Sequence, residues 1–197
     1  MKESKNKYTV EELLKYKETI ASCIEGDRNF FVLNDSAVHA SIIVEGLLSH
    51  AKVINMYCGK FSIFRDRFYQ KVFESIKEKN VAFNPYETSI DALVKFLENQ
   101  NSLNVIIANE DSDIHSITTD AIWSKIKKYV GANLNFFQRK DASDNLNHFM
   151  VADAKGYRYE SDKIERTAIF NYNDPEQAKV FNELFLILKD ESEALTF

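Results

Sequence analysis

An α/β fold, with a mixed sheet flanked by helices on both faces, is what this sequence predicts, and three observations carry it. Short apolar runs alternate with helical stripes along most of the 197 residues. The chain has only 5 Gly and 2 Pro, too few for a sandwich built from many tight turns. Residues 53–57 and 103–108 are almost continuously apolar, as suits strands buried on both faces. Parallel strands need crossovers, which the intervening helical segments supply.

The elements follow in order. Thr9 and Glu12 read as a capping box, because the Thr hydroxyl can accept from the amide of residue 12 while Glu12 reaches back. The helix after it carries Leu13, Tyr16, Lys17, Ile20 and Ile24 near one stripe and stops at Gly26-Asp27. Residues 30–33 form a short apolar strand, and Asn34-Asp35-Ser36 caps a helix over 37–50 with Ala37, Val44, Leu47, Leu48 and Ala51 inward. A strand over 52–58 ends at Gly59, and a helix over 62–79 places Phe64, Phe68, Val72 and Ile76 at helical spacing.

Pro85 and Thr88 open a helix to residue 99, and residues 103–108 make the next core strand. Residues 121–129 are helical with Trp123 and Ile126 inward, and 133–137 make a third core strand. Residues 148–153 and 157–161 read as an antiparallel pair turning at Gly156. Asp174-Pro175-Glu176-Gln177 supplies an Asp cap, Pro at the first helical position and a capping-box Gln. The stripe Ala178, Phe181, Leu184, Phe185 and Leu188 locks this last helix onto the sheet, and truncating a buried Phe185 would cost roughly 3–5 kcal/mol.

Length suits a single α/β domain over 28–197 preceded by a helical extension over 1–27. Hydrophobic residues at 45%, with 15 Phe and 9 Tyr, provide ample apolar area for a core and argue against disorder. The net charge of −5 works against a broad nucleic-acid surface, which needs clustered cations. A nucleic-acid partner is therefore not favoured, and the basic run Lys125, Lys127, Lys128, continued by Arg139 and Lys140, reads as a solvated helix face. Cys23 and Cys58 are too few for a disulfide framework, which suits a reducing compartment. Residues 1–7 lack the apolar stretch of a signal peptide, and no apolar run approaches the ~20 residues of a membrane span. The expectation is a cytoplasmic protein.

Chemistry-bearing residues concentrate late in the chain: His148-Phe149-Met150-Val151-Ala152-Asp153, then Tyr157-Arg158-Tyr159-Glu160, then Phe170-Asn171-Tyr172-Asn173-Asp174. Arg158 and Glu160 alternate with Tyr157 and Tyr159, so the two charges share one strand face and can pair with Asp153 or His148. An Arg beside a His could bind a phosphate; the plain alternative is an edge-strand charge against aggregation. Elsewhere the signals are weaker. Asn109-Glu110-Asp111-Ser112-Asp113 lies after a core strand but lacks the Gly and distal Glu of a calcium loop, and reads as a turn and cap. Cys58-Gly59-Lys60 precedes Arg65 by one residue too many for a cysteine phosphatase loop. His39, Glu45 and His50 lack zinc-helix spacing. No cofactor and no metal set is expected.

The segment from His148 through the last helix resembles the C-terminal part of a phospholipase D-like domain. That family carries a His, a Lys two residues on and an Asp seven residues on, then a Gly-Ser-x-Asn turn before a final helix. Here the Lys slot after His148 holds Met150 and the seventh residue on is Lys155; aligning Asp153 with the family Asp instead puts His148 in the Lys slot and Leu146 in the His slot. The Gly-Ser is absent, while Asn171 or Asn173 can take the Asn position. The resemblance implies a His that attacks phosphorus, with a cation and Asn on the phosphate oxygens. It further implies two motifs per active site, hence a homodimer for one domain of this length. The expected site is His148, Arg158, Glu160 and Asn171 for catalysis, with Asp153 and Asn173 binding phosphate or ligand. Because the motif is incomplete, the expectation is a non-catalytic binding or regulatory module of a bacterial or mobile-element system. The alternatives are a metal-independent phosphodiesterase or nuclease acting as a homodimer, and a scaffold that docks a protein partner.

Overall fold

The computed structural model describes residues 8–26, 29–78, 83–108, 115–139, 146–162 and 167–197. In chain order the elements are α1 (Val10–Glu25), β1 (Phe30–Asn34), α2 (Ala37–His50), β2 (Val53–Cys58), α3 (Asp66–Glu74), α4 (Pro85–Glu98), β3 (Ser102–Ile107) and α5 (His115–Thr118). They continue with α6 (Ala121–Ile126), β4 (Leu134–Arg139), β5 (Phe149–Ala152), β6 (Gly156–Asp162), β7 (Thr167–Tyr172), α7 (Pro175–Asp190) and β8 (Ser192–Ala194).

Local chemistry places the helix starts. Thr9 and Glu12 close their capping box, Ser36 accepts from the His39 amide, Asn84 from the Glu87 amide and Asp174 from the Gln177 amide. The segment expected as one helix over 62–79 instead opens with a 3-10 turn, Ser62–Phe64, and α3 stops at Glu74. There the Ser75 hydroxyl donates to the Lys71 carbonyl, and Ile76 bridges to Tyr8. That long-range pairing takes the chain out of the helix.

One eight-stranded sheet has the order β1-β7-β6-β5-β2-β3-β4-β8. Strands β2, β3 and β4 are parallel, and every other pairing is antiparallel. Strands β7 and β8 were not expected from the sequence; β7 joins β1 to the sheet, and β8 adds to β4. The turn between β5 and β6 spans residues 153–155, with Asp153 and Ala154 both at φ +51, while Gly156 is the first residue of β6. A methyl group at Gly156 would overlap the Tyr172 ring, so close strand packing excludes any larger residue there.

The strand period of two divides the core. Ile54, Met56 and Cys58 face the side covered by α1 to α6, whereas Tyr57, Ile106, Phe149, Val151 and Tyr157 pack with Phe181, Phe185 and Leu188 of α7. Phe185 is 1% exposed. The first helix belongs to the larger cluster through Leu13, Ile20, Cys23 and Ile24. Facing α7, the side-chain amides of Asn135, Asn104 and Asn55 hydrogen-bond in series across β4, β3 and β2 and end on Asn182. This ladder matches the strand register, which pairs Asn55 with Asn104 and Asn104 with Asn135. No helix among the described residues is long and apolar enough to cross a membrane.

Candidate phosphate-binding site

Parallel strand β2 ends between parallel β3 and antiparallel β5, so the sheet changes sense at its carboxyl end. Such points leave a crevice that loops and helix starts can line. A cavity of about 620 Å³ opens there. Its walls are the first turn of α2 (Ser36, Ala37), the end of β2 with the turn after it (Cys58, Gly59, Lys60), one side of α3 (Arg67, Phe68, Lys71), and His148, Arg158 and Glu160.

His148 and Glu160 come together because β5 and β6 are antiparallel neighbours and the Glu160 amide donates to the His148 carbonyl over 2.8 Å. Their side chains lie on the same face, and His148 Nδ1 is 2.6 Å from Glu160 Oε2. A carboxylate only accepts, so Nδ1 carries a proton, and a neutral ring in this contact has its lone pair on Nε2. Nε2 faces Gly59: a methyl group built there would sit 3.3 Å from it. Glycine therefore leaves that ring edge open to the cavity.

Arg158 stands two residues from Glu160 on the same strand face and also lines the cavity. Its Nε donates to Asn34 Oδ1 over 2.8 Å, while Asn34 Nδ2 donates to the Ser36 carbonyl over 2.8 Å. One buried amide thus ties the guanidinium to the start of α2. Burial lowers the Arg158 pKa, and the Glu160 carboxylate opposes that. The first turn of α2 adds amide donors and the positive end of a 14-residue helix to the same wall. Four cationic side chains, Lys60, Arg67, Lys71 and Arg158, thus face the cavity of a chain whose net charge is −5, with Glu160 as the one acidic side chain lining it among the described residues.

Cys58 sits beside this wall but is fully covered. Burial pushes its thiol up to about 12, so it stays protonated and is no nucleophile at neutral pH.

Of the residues singled out in the sequence, His148, Arg158 and Glu160 meet in the cavity. Asp153 does not join them. It lies at the opposite end of β5, roughly 16 Å along the strand, where its carboxylate accepts from the amides of Lys52 and Val53 at 2.8–3.1 Å. Asn171 is buried on the far side of β6; its Oδ1 takes the Phe30 amide, and its Nδ2 donates to Asn29 and Asp174. Asn173, at φ +61, lies in the turn before α7 and outside the cavity wall. The acidic run 109–113 and Lys140 fall outside the described residues. Among the described residues, no group of three or more His, Cys, Asp or Glu is placed to hold a metal ion. Gly59, Lys60 and Asn34 were missed as site residues. Gly59 and Lys60 carry a sequence signal, since Cys58-Gly59-Lys60 follows a core strand, whereas Asn34 reads locally only as part of a helix cap.

No protein-family model and no curated protein matches this chain. Solved structures do. Nuc from Salmonella typhimurium, a phospholipase D family member, aligns with a TM-score of 0.58 at 13% identity, over 86% of this chain and 100% of its own. The archaeal chromatin protein TrmBL2, whose structure shows a mode of DNA binding, aligns with a TM-score of 0.58 at 12% identity, over 94% of this chain and 61% of its own. Phosphatidylserine synthase of Haemophilus influenzae Rd KW20 aligns with a TM-score of 0.50 at 13% identity, over 84% of this chain but 39% of its own. At these identities the likeness concerns architecture: the chain has a phospholipase D-like fold, with a mixed sheet between helical layers.

Proposed function

We propose that the cavity binds a phosphodiester and that His148 is the nucleophile of a metal-independent phosphodiesterase. The carrying observation is the contact of His148 Nδ1 with Glu160 Oε2 at 2.6 Å, which leaves Nε2 as the lone-pair atom beside Gly59. In this reading Nε2 attacks phosphorus, and a P–N bond forms as the bond from phosphorus to the leaving oxygen breaks. Glu160 supports the positive charge then carried by the ring, and Arg158 and the α2 amides hold the non-bridging oxygens. Water next attacks phosphorus, breaks the P–N bond and returns the free imidazole.

A leaving alkoxide needs a proton, and His148 is the one imidazole in the cavity wall among the described residues. The proposal therefore includes a homodimer whose second His148, protonated on both ring nitrogens, gives the Nε2 proton to the leaving oxygen and takes one back from the attacking water. A second reading, phosphate binding without turnover, is favoured by Met150. It occupies the position two residues after His148, is 3% exposed and packs in the larger core, so β5 offers no cation beside the ring.

The test is hydrolysis of bis-p-nitrophenyl phosphate and of single-stranded DNA, with and without EDTA, by the wild type and by His148→Asn. EDTA-resistant turnover abolished in the variant is expected. Equal turnover by both proteins sinks the nucleophile, and phosphate binding without turnover selects the second reading.

A further inference from the structure

We infer that Lys60, on the turn after β2, is the second phosphate-binding cation of this site; the inference rests on the phosphodiester reading above. A bound phosphodiester presents two non-bridging oxygens, and a nucleophile at Nε2 must approach while their negative charge is held. Arg158 stands on the β6 side, its Nε already engaged by Asn34. The opposite side belongs to the turn that meets Nε2, where Lys60 directly follows Gly59. Lys60 is half-buried, lines the cavity, and makes no hydrogen bond or ion pair with a described residue.

The turn is built to hold that lysine in place. Phe61 follows it at φ +53, a left-handed conformation that is unfavourable for a non-glycine residue and persists only when its surroundings impose it. They do: Phe61 is 0% exposed, its ring centroid lies 4.8 Å from Phe64 and 5.3 Å from Phe136, and its amide bonds to Cys58. With Cys58 and Phe61 both anchored, the two residues between them have little freedom, and the lysine ammonium needs only side-chain rotation to reach an anion beside His148. The charge that β5 lacks at Met150 thus comes from the turn that follows the neighbouring strand β2.

Calorimetric titration with inorganic phosphate tests this on the full chain, using the wild type, Lys60→Met, Lys60→Arg and, as a charge control on the exposed face of α6, Lys125→Ala. Lys60→Met keeps the apolar stem and should weaken phosphate at least ~10-fold, while Lys60→Arg stays within ~3-fold because it restores a donor cation. Lys125→Ala, with the same change of net charge, should bind as the wild type does. Equal affinity for the wild type and Lys60→Met overturns the role of Lys60 and leaves the site intact. A wild type that takes up no phosphate overturns the site itself, and Lys60 with it, before any variant is compared.

Discussion

Arg158 Nε donates to Asn34 Oδ1 over 2.8 Å, joining residues 124 positions apart. Asn34 is 1% exposed and spends its other polar atom on the Ser36 carbonyl, so this amide fixes both the guanidinium and the entrance to α2. Asn34→Ala takes away the partner of Arg158 Nε and the tie to the Ser36 carbonyl, which then keeps only the Ala40 amide. A loss of about 1–3 kcal/mol in urea unfolding is expected, together with phosphate binding weakened by roughly tenfold. Unchanged phosphate affinity in a folded Asn34→Ala would show that Arg158 does not depend on this partner.

Gly59→Ala is predicted to silence the site without unfolding the protein. Its backbone lies outside the left-handed region, so alanine is tolerated there, but the new methyl sits 3.3 Å from His148 Nε2. Turnover of bis-p-nitrophenyl phosphate should fall at least ~100-fold, because displacement of the reacting atom is enough to lose productive geometry. The melting temperature should be essentially that of the wild type. Full activity in this variant would mean that Nε2 works from another ring position.

Asp153→Ala separates stability from binding. The carboxylate accepts from the amides that open β2, so its removal should destabilise the protein by about 1–3 kcal/mol. Phosphate affinity should not change, since the residue lies at the far end of β5. A selective loss of phosphate binding, measured on folded protein, would return Asp153 to the site.

Stability should fall on the acid side of neutrality through His39. The ring is 8% exposed, stacks on Tyr16 at 3.9 Å between centroids and contacts Asp35 at 2.7 Å. Burial lowers its pKa below the ordinary value, and Asp35 opposes that only in part. The folded protein therefore binds this proton less readily than the unfolded chain. The His39 contribution is complete above an unfolded pKa of about 6.5 and is lost as pH falls through the lower folded value. Urea midpoints for the wild type and His39→Phe, compared near pH 7.5 and near pH 5, should show the larger acid loss in the wild type. Equal losses would assign the effect to other groups.

The sequence by itself determined the parts of this protein that local chemistry controls. The cap-and-proline start of α7, the capping box of α1 and the apolar runs of β2 and β3 need only neighbours within a few residues, and they stand where that chemistry places them. Even His148 and Glu160 are legible together, because a hairpin brings residues twelve apart onto one face. Tertiary structure decided what distant segments do to one another. It made Thr167–Tyr172 a strand by supplying β1 as its partner, and it ended α3 early by pairing Ile76 with Tyr8. Asp153 and Asn171, polar residues in a promising stretch, were taken up by amides of residues 52, 53 and 30, which no local pattern connects to them. Gly59, Lys60 and Asn34 became site residues for the same reason in reverse. Each reads locally as a cap or a turn, and only the packing of β1, β2, β5 and β6 in one sheet sets Gly59 and Lys60 in the wall with His148 and Asn34 behind Arg158.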